Sequence, residues 1–111
     1  MHIKPIPRRM LPDSVVYKPL LENGRNGSVW GDEVMLKFVC VDYNTKYAIK
    51  GDNQGVAYKA MLFYDCRNSR PIGIAFREKD KIIHNGKEMT VESVSIPNSG
   101  DRIHHYELGL V

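Results

Sequence analysis

The sequence predicts an all-β fold: a small antiparallel β-barrel with an extended N-terminal arm and one long loop. The 111 residues are 42% hydrophobic and 26% charged, which is the composition of a single ordinary globular domain. Segments rich in β-branched and aromatic residues recur about every ten residues between turn signals. No segment sustains a helical period of 3.6 residues over about eleven residues. In a chain this short, closing the sheet into a barrel handles its unpaired edges best.

The first segment, residues 1–13, is predicted to be an extended arm. Its prolines Pro5, Pro7 and Pro12 remove amide donors, which excludes a helix interior or a central strand. We expect its apolar groups to cover its own barrel or a neighbouring copy, and the arm to contribute more to assembly than to monomer stability. The candidate assembly residues of the arm are Ile3, Ile6, Arg8, Arg9, Met10 and Leu11.

The charge of the chain is distributed unevenly. Residues 1–31 hold five basic and two acidic groups, whereas residues 32–111 hold eleven of each, so the net charge of +3 belongs to the N-terminal end. A dedicated nucleic-acid-binding domain usually has a stronger and more focused basic field. No apolar run approaches the roughly 20 residues of a transmembrane helix, so we expect no membrane contact.

The barrel domain is predicted to cover residues 14–111 and to begin with a strand over 14–21. Residues 23–28, Asn-Gly-Arg-Asn-Gly-Ser, then predict a hairpin turn, because asparagine and glycine tolerate positive φ. The next strand, 34–41, is apolar on both faces, so we expect it to be buried on both sides or to lie at a subunit boundary. One face would carry Val34, Leu36, Phe38 and Cys40, and the other Met35, Lys37, Val39 and Val41.

A long loop is predicted over residues 42–55. It is polar, contains two glycines and separates two apolar strands. Loops of more than about 12–15 residues are usually functional or disordered. We expect this one to be the moving part of the molecule. Its candidate residues are Tyr43, Lys46, Tyr47, Lys50, Gly51 and Gly55.

Four further strands are predicted downstream, over 56–65, 81–84, 87–96 and 103–111. The second and third flank Asn85-Gly86, and this dipeptide is the strongest short signal for a type I′ hairpin. Because side chains alternate along a strand, one face of the last strand would carry His104, Tyr106, Leu108 and Leu110. We therefore expect the last strand to be part of the core.

Residues able to support catalysis or metal binding form no recognised pattern. The motifs of α/β-hydrolases, zinc proteases, P-loops and dinucleotide-binding folds are absent from the sequence. His104 and His105 are adjacent on a predicted strand, so their imidazoles point to opposite faces and cannot readily share a metal. We predict no catalytic residue, no cofactor and no metal site.

The two cysteines, Cys40 and Cys66, are interpreted as buried, reduced thiols, with a single disulfide as the alternative. A nucleophilic Cys66 would need a histidine base, which His104 or His105 could supply. No oxyanion loop accompanies it, so an enzyme is the least favoured class. The aromatic residues could form a stacking platform for nucleobases, but their apolar neighbours favour core packing.

Five segments of the chain resemble the minor capsid proteins of tailed phages and prophages of Gram-positive bacteria. They are residues 9–12 (RMLP), 15–19 (VVYKP), 62–69 (LFYDCRNS), 80–88 (DKIIHNGKE) and 104–111 (HHYELGLV). These segments occur in the same order over almost the whole chain. That family is similar to the head-closure, or stopper, proteins of the head-to-tail connector.

The resemblance implies a structural protein of the virion, located at the head–tail junction and assembled in the bacterial cytoplasm. It implies a ring, expected to be dodecameric, with a portal and adaptor ring above it and tail-terminator or other tail proteins below. The ring would retain packaged DNA, without sequence-specific binding, and its long loops would project into the channel. The alternative interpretation of the sequence is a small nucleic-acid-binding barrel of OB or SH3-like type.

Overall fold

Eight strands and one short 3-10 helix form the part of the chain that the structure describes, residues 8–24, 27–43, 58–96 and 105–111 of a computed structural model. Within these residues, no helix is long and apolar enough to cross a membrane. The elements are the 3-10 helix Arg8–Met10 and the strands β1 Asp13–Lys18, β2 Leu20–Gly24, β3 Gly27–Trp30, β4 Val34–Asp42, β5 Ala60–Asp65, β6 Lys81–His84, β7 Lys87–Ser95 and β8 His105–Leu110.

Six of these strands close into an antiparallel barrel, which confirms the predicted fold class. The order around the barrel is β1-β4-β5-β8-β7-β6, and β6 pairs back onto β1. Strands β2 and β3 form a separate two-stranded sheet between β1 and β4 in the sequence. Because the barrel is closed, its six strands have no free edge along their paired lengths.

The core fills the inside of the barrel with side chains from every barrel strand. Strand β8 confirms its predicted burial, because Leu108 and Leu110 are fully buried. Burying a side chain of this size is worth about 1.5–3 kcal/mol. The buried cluster consists of Val15, Tyr17, Leu36, Val39, Val41, Ala60, Leu62, Tyr64, Phe76, Ile82, Met89, Val91, Leu108 and Leu110.

An aromatic cluster lies within this core. The ring centroid of Phe76 is 5.3 Å from that of Tyr17, 5.1 Å from Tyr64 and 5.3 Å from Tyr106, each in edge-to-face geometry. Such pairs add about 0.5–1.5 kcal/mol beyond their burial. These four rings therefore pack the interior, as predicted, and present no platform on which bases could stack.

Strand β4 contains a β-bulge. Between the pairs Asp13–Val39 and Ser14–Lys37, β4 has one more residue than β1. The extra residue is Phe38, whose φ of +60° lies in the left-handed region that side chains of this size rarely adopt. The bulge shifts the alternation of the strand, so the residues that follow it bury odd-numbered rather than even-numbered positions.

The predicted alternation of this strand is therefore wrong beyond Leu36. Phe38 and Cys40 are only half-buried, whereas Val39 and Val41 belong to the core. The sequence looks apolar on both faces because the buried positions change parity at the bulge. Within the single chain the strand is buried on one side only, and Met35 on its outer side remains 54% exposed.

The structure confirms the type I′ turn between β6 and β7, and it divides the strand predicted before the other turn into two elements. At the β6–β7 turn, Asn85 and Gly86 have φ values of +51° and +79°, which confirms the type I′ prediction. The turn over 23–28 does connect two strands, but the strand predicted over 14–21 is wrong as a single element. It ends at Lys18, and Pro19 separates it from β2 because proline lacks the amide that a continuous ladder needs.

The β2–β3 hairpin is fixed to the barrel at its base. Leu20 donates its amide to Asp80, at 2.8 Å, and accepts a bond from the guanidinium of Arg77, at 3.0 Å. The ammonium of Lys81 lies 4.9 Å from the ring centre of Trp30. The hairpin thus has a defined position although it shares no ladder with the barrel.

Asp80 is a fully buried carboxylate with three hydrogen-bond donors. They are the hydroxyl of Tyr17 at 2.5 Å and the amides of Leu20 and Arg77 at 2.8 and 2.9 Å. Burial, followed by the hydrogen bond to Asp80, raises the pKa of Tyr17 far above its usual range. This network joins β1, the hairpin and the loop before β6 at one end of the barrel.

Candidate functional site

The arm and the long loop leave the barrel at the same end. Strand β1 begins there and its antiparallel neighbour β4 ends there. Asp13, the first residue of β1, accepts the amide of Val41 in β4 through Oδ2 at 2.9 Å. The topology therefore places the end of the arm next to the start of the long loop, and these are the two segments singled out in the sequence.

Tyr43, the first candidate residue of the loop, packs on the barrel rather than projecting away from it. Its hydroxyl is hydrogen-bonded to Nδ1 of His84 at 2.5 Å, and the two rings stack with centroids 5.7 Å apart. On the other side of that imidazole, Nε2 lies 3.6 Å from Oδ1 of Asp13. The ammonium of Lys87 lies 5.0 Å from the centre of the tyrosine ring.

This cluster of Asp13, Tyr43, His84 and Lys87 holds the start of the loop on the β6–β7 hairpin. His84 is buried, so its polar atoms depend on these partners. Burial, and then the charge of Asp13, raises the pKa of Tyr43 and keeps its hydroxyl protonated. The other candidate loop residues, Lys46, Tyr47, Lys50, Gly51 and Gly55, lie outside the described residues, so their role stays a prediction.

The end of the arm lies beside a surface groove of about 470 Å³. Residues Arg8–Met10 form a turn of 3-10 helix where the sequence analysis expects an extended chain. Met10 is 57% exposed, but its neighbour Leu11 is 1% exposed and packs on its own barrel. The groove is lined by Arg9, Leu11, Pro12, Asp13, Ser14, Lys37 and Phe38.

The remaining arm candidates stay untested. Ile3 and Ile6 lie outside the described residues, and of Arg8 only the backbone is described. Among the arm candidates whose side chains are described, Leu11 is buried, whereas Arg9 and Met10 are exposed and accessible to another molecule.

The loop after β5 folds back over the bulge of β4. Lys37 and Arg70 exchange two backbone hydrogen bonds, at 2.8 and 3.0 Å. The hydroxyl of Ser69 donates to the carbonyl of Phe38 and accepts the amide of Asp65, the latter at 2.9 Å. The left-handed Phe38 is thus held in place by a loop that is 31 residues away in the sequence.

This fold-back assembles a surface that the sequence analysis missed. Arg9 and Lys37 line one groove, and Lys37 pairs with Arg70 of the loop. Met10, Arg67 and Ile72 are exposed residues within three positions of Arg9 or Arg70 in the sequence. We call these six residues the basic patch. No local sequence signal could have revealed it, because Lys37 and Arg70 meet only through the loop that follows β5.

The cysteines do not form a reactive site. Cys40 and Cys66 are both free and half-buried, where the sequence analysis expects buried thiols or a single disulfide. Burial is the main cause that raises the pKa of each thiol, and the nearby carboxylates of Asp13 and Asp65, respectively, add to it. A raised pKa leaves less thiolate, which is the nucleophilic form.

Histidines and carboxylates do not converge on a metal site in the part of the chain that is described. His105 pairs across the sheet with Asp65, and its Nε2 lies 3.8 Å from Oε2 of Glu107. His104 lies outside the described residues. The described geometry therefore offers surfaces for contact with other molecules.

A scan against protein-family models identifies the relatives of this chain. The model described as minor capsid protein matches residues 7–110. The chain belongs to the minor capsid protein family. No match was found among curated proteins or among solved structures.

This minor capsid protein is a structural phage protein and a component of the virion. The family match covers all eight strands, so membership concerns the barrel as a whole and not a single motif. The six-stranded barrel also differs from the OB-fold, which has five strands. The family match confirms the part of the resemblance that concerns minor capsid proteins.

Proposed function

We propose that this minor capsid protein is a head-completion, or stopper, component of the head–tail connector in a phage or prophage of Gram-positive bacteria. It assembles in the host cytoplasm as a ring, expected to be dodecameric, below the portal and its adaptor. The ring retains packaged DNA and docks the tail-terminator or other tail proteins. The observation that carries the proposal is the family match over residues 7–110.

The architecture supports this proposal. A closed barrel cannot extend its sheet into a neighbour, so contacts in a ring must come from side chains and from segments outside the barrel. The arm and the loop leave from one end, at Asp13 and Tyr43, which are joined through His84. A segment that contacts a neighbour and a segment that faces a channel can then belong to the same end of each copy.

The proposed contact with DNA is non-specific. Sequence-tolerant binding of single strands relies on exposed aromatic platforms, whereas the rings of Tyr17, Tyr64 and Phe76 lie in the core. Contact with a duplex in a channel needs only basic side chains near its phosphates.

Cryo-electron microscopy of intact phage particles tests the location. Fab fragments raised against the purified chain should mark the head–tail junction in a single layer. Particles assembled without the chain should package DNA, lose it and carry no tail. Labelling of the outer head surface, or full-length infectious particles without the chain, would contradict the proposal.

Filter binding with the purified chain tests the alternative of a free nucleic-acid-binding barrel. A stopper subunit should bind duplex DNA no more tightly than the roughly 10⁻⁴–10⁻⁶ M typical of non-specific attraction, with little preference between sequences. Much tighter, sequence-dependent binding by the monomer would favour the alternative.

A further inference from the structure

The β2–β3 hairpin and the segment after it carry exposed acidic and apolar side chains. Leu21 is 61% exposed and Val29 is 49% exposed. Three exposed carboxylates accompany them, and the described residues of 20–33 include no basic side chain. We call this set of side chains the acidic patch; it consists of Leu21, Glu22, Val29, Asp32 and Glu33.

The basic patch has the complementary composition. Met10 is 57% exposed and Ile72 is 70% exposed, and both lie among exposed cations. The guanidinium of Arg70 donates to the carbonyls of Arg67 and Ser69 at 2.8 Å, which holds this cation against the backbone of its loop. Each patch thus combines several charges of one sign with two large, exposed apolar side chains.

The two patches do not neutralise each other within one copy. Among the described residues, Lys81 pairs with Glu88, and two histidines lie within 4.0 Å of carboxylates, His84 at Asp13 and His105 at Glu107. None of these contacts involves either patch. Glu33 and Lys37 are four residues apart along one extended segment, which corresponds to about 13 Å. An ion pair requires about 4 Å. The charges of both patches therefore remain accessible to another molecule.

We propose that the acidic patch of one copy of this chain binds the basic patch of the next copy. The occupant is a second copy because the same chain carries both members of a complementary pair. The exposed apolar side chains favour a protein surface over a nucleic acid, since they gain by leaving water and phosphates do not cover them. Since the hairpin is held at its base by Asp80 and Arg77, the acidic patch is positioned before contact.

Two different patches make a head-to-tail contact, which repeats from copy to copy and closes into a ring when the rotation allows it. The inference thereby deepens the proposed function and rests on it for the ring. The pairing itself is independent of where the protein lies in the virion, and it can be measured on the purified chain.

Charge reversal in two variants tests the pairing. One variant reverses the basic patch (Arg9→Glu, Lys37→Glu, Arg70→Glu), and the other reverses the acidic patch (Glu22→Lys, Asp32→Lys, Glu33→Lys). Sedimentation of the full-length wild type over a concentration series should show species larger than dimers. Each variant alone should dissociate at least about 100-fold more readily, because facing like charges cost several kcal/mol.

Mixing the two variants provides the decisive measurement. Each variant keeps one intact patch, and the two reversed patches are complementary to each other. The mixture should therefore regain species larger than dimers, and so should a chain carrying all six reversals. A matched control, Glu78→Lys with Glu92→Lys, reverses exposed carboxylates outside both patches and should assemble like wild type. Circular dichroism checks that every variant is folded, and a variant that unfolds is replaced by its alanine counterpart.

Four outcomes would overturn the proposal: a wild-type chain that stays monomeric over the whole series, variants that assemble normally, a mixture that stays monomeric, or a wild type that stops at dimers. Loss of duplex DNA binding in the basic-patch variant with unchanged assembly would overturn it as well, because the patch would then be a phosphate-binding surface. If the charge reversals act as expected while Fab labels lie elsewhere on the particle, the proposed function fails and the pairing stands.

Discussion

Single buried residues fix the geometry of this small barrel, and Asp80 is the clearest case. A carboxylate without solvent exposure is costly unless its oxygens are hydrogen-bonded. Tyr17, Leu20 and Arg77 provide those bonds from three separate segments. Together with Arg77 and Lys81, Asp80 therefore fixes the position of the hairpin relative to the barrel.

The first prediction concerns this bond. Tyr17→Phe should lower the free energy of unfolding at neutral pH by about 1–3 kcal/mol, because it removes one donor to a buried carboxylate. The pKa of Tyr17 is raised in the fold, so above about pH 10 the unfolded chain loses this proton first and wild-type stability falls as pH rises. Urea unfolding should therefore show the gap between wild type and variant narrowing above pH 10. A gap that widens would show that the hydroxyl is already ionised in the fold.

A second prediction separates two neighbouring residues of the arm. Leu11→Ala should destabilise the monomer by about 2–5 kcal/mol, since the side chain is 1% exposed. Met10→Ala should change stability by less than about 0.5 kcal/mol, because Met10 lies at the surface. Thermal and denaturant unfolding of both variants measures this. Equal effects would mean that residues 10 and 11 do not differ in burial.

At the scale of elements, the β6–β7 turn could be predicted from the sequence, whereas the bulge of β4 could not. Asn85-Gly86 specifies its turn locally, because each residue tolerates the φ that the turn needs. The bulge at Phe38 has no such local signal, since it depends on Ser69 and Arg70 of a distant loop. The same holds for Leu11 and Met10, because neighbouring apolar residues cannot be sorted into buried and exposed without the tertiary contacts.

Strand β8 supplies the third prediction. Leu108→Ala should cost about 2–5 kcal/mol, because the side chain is fully buried between β5 and β7. Leu21→Ala is the matched control, and it should cost less than about 0.5 kcal/mol because Leu21 is exposed. Denaturant unfolding of both variants measures these two costs. A small cost for Leu108→Ala would place β8 at the surface.

The loop after Tyr43 supplies the fourth prediction. Deleting residues 44–53 should leave the barrel folded, because β4 and β5 are adjacent antiparallel strands and the remaining 54–57 is long enough for a hairpin connection. Particles assembled with this variant should lose packaged DNA. Unfolding of the purified variant would show that the loop belongs to the core. DNA-tight particles would contradict its predicted role in the channel.

At the scale of the whole molecule, the barrel is a closed support for surfaces built by other segments. The arm, the loop after β5 and the β2–β3 hairpin carry the exposed apolar residues Met10, Ile72, Leu21 and Val29. Composition and net charge predicted a globular domain, but they could not predict the two patches. The patches arise from topology, which brings Lys37 next to Arg70 and leaves Glu33 apart from both.

The lengths of the ladders around the closed barrel also indicate where it can open first. Strands β1 and β6 pair over three residues, the shortest ladder of the barrel, whereas β5 and β8 pair over six. We expect hydrogen exchange measured by mass spectrometry to show weaker protection of β6 amides than of β8 amides, through partial opening at this seam. Equal protection of both strands would mean that the barrel opens only as a whole.

Opening at this seam would expose two unpaired strand edges, and such edges are templates for aggregation. The bond from Tyr17 to Asp80 crosses the seam, because Tyr17 lies on β1 and Asp80 immediately precedes β6. The bond therefore opposes opening of the seam and the edge-to-edge aggregation that such opening would allow. Tyr17→Phe should accordingly aggregate faster than wild type at high protein concentration, even under conditions in which both chains are folded.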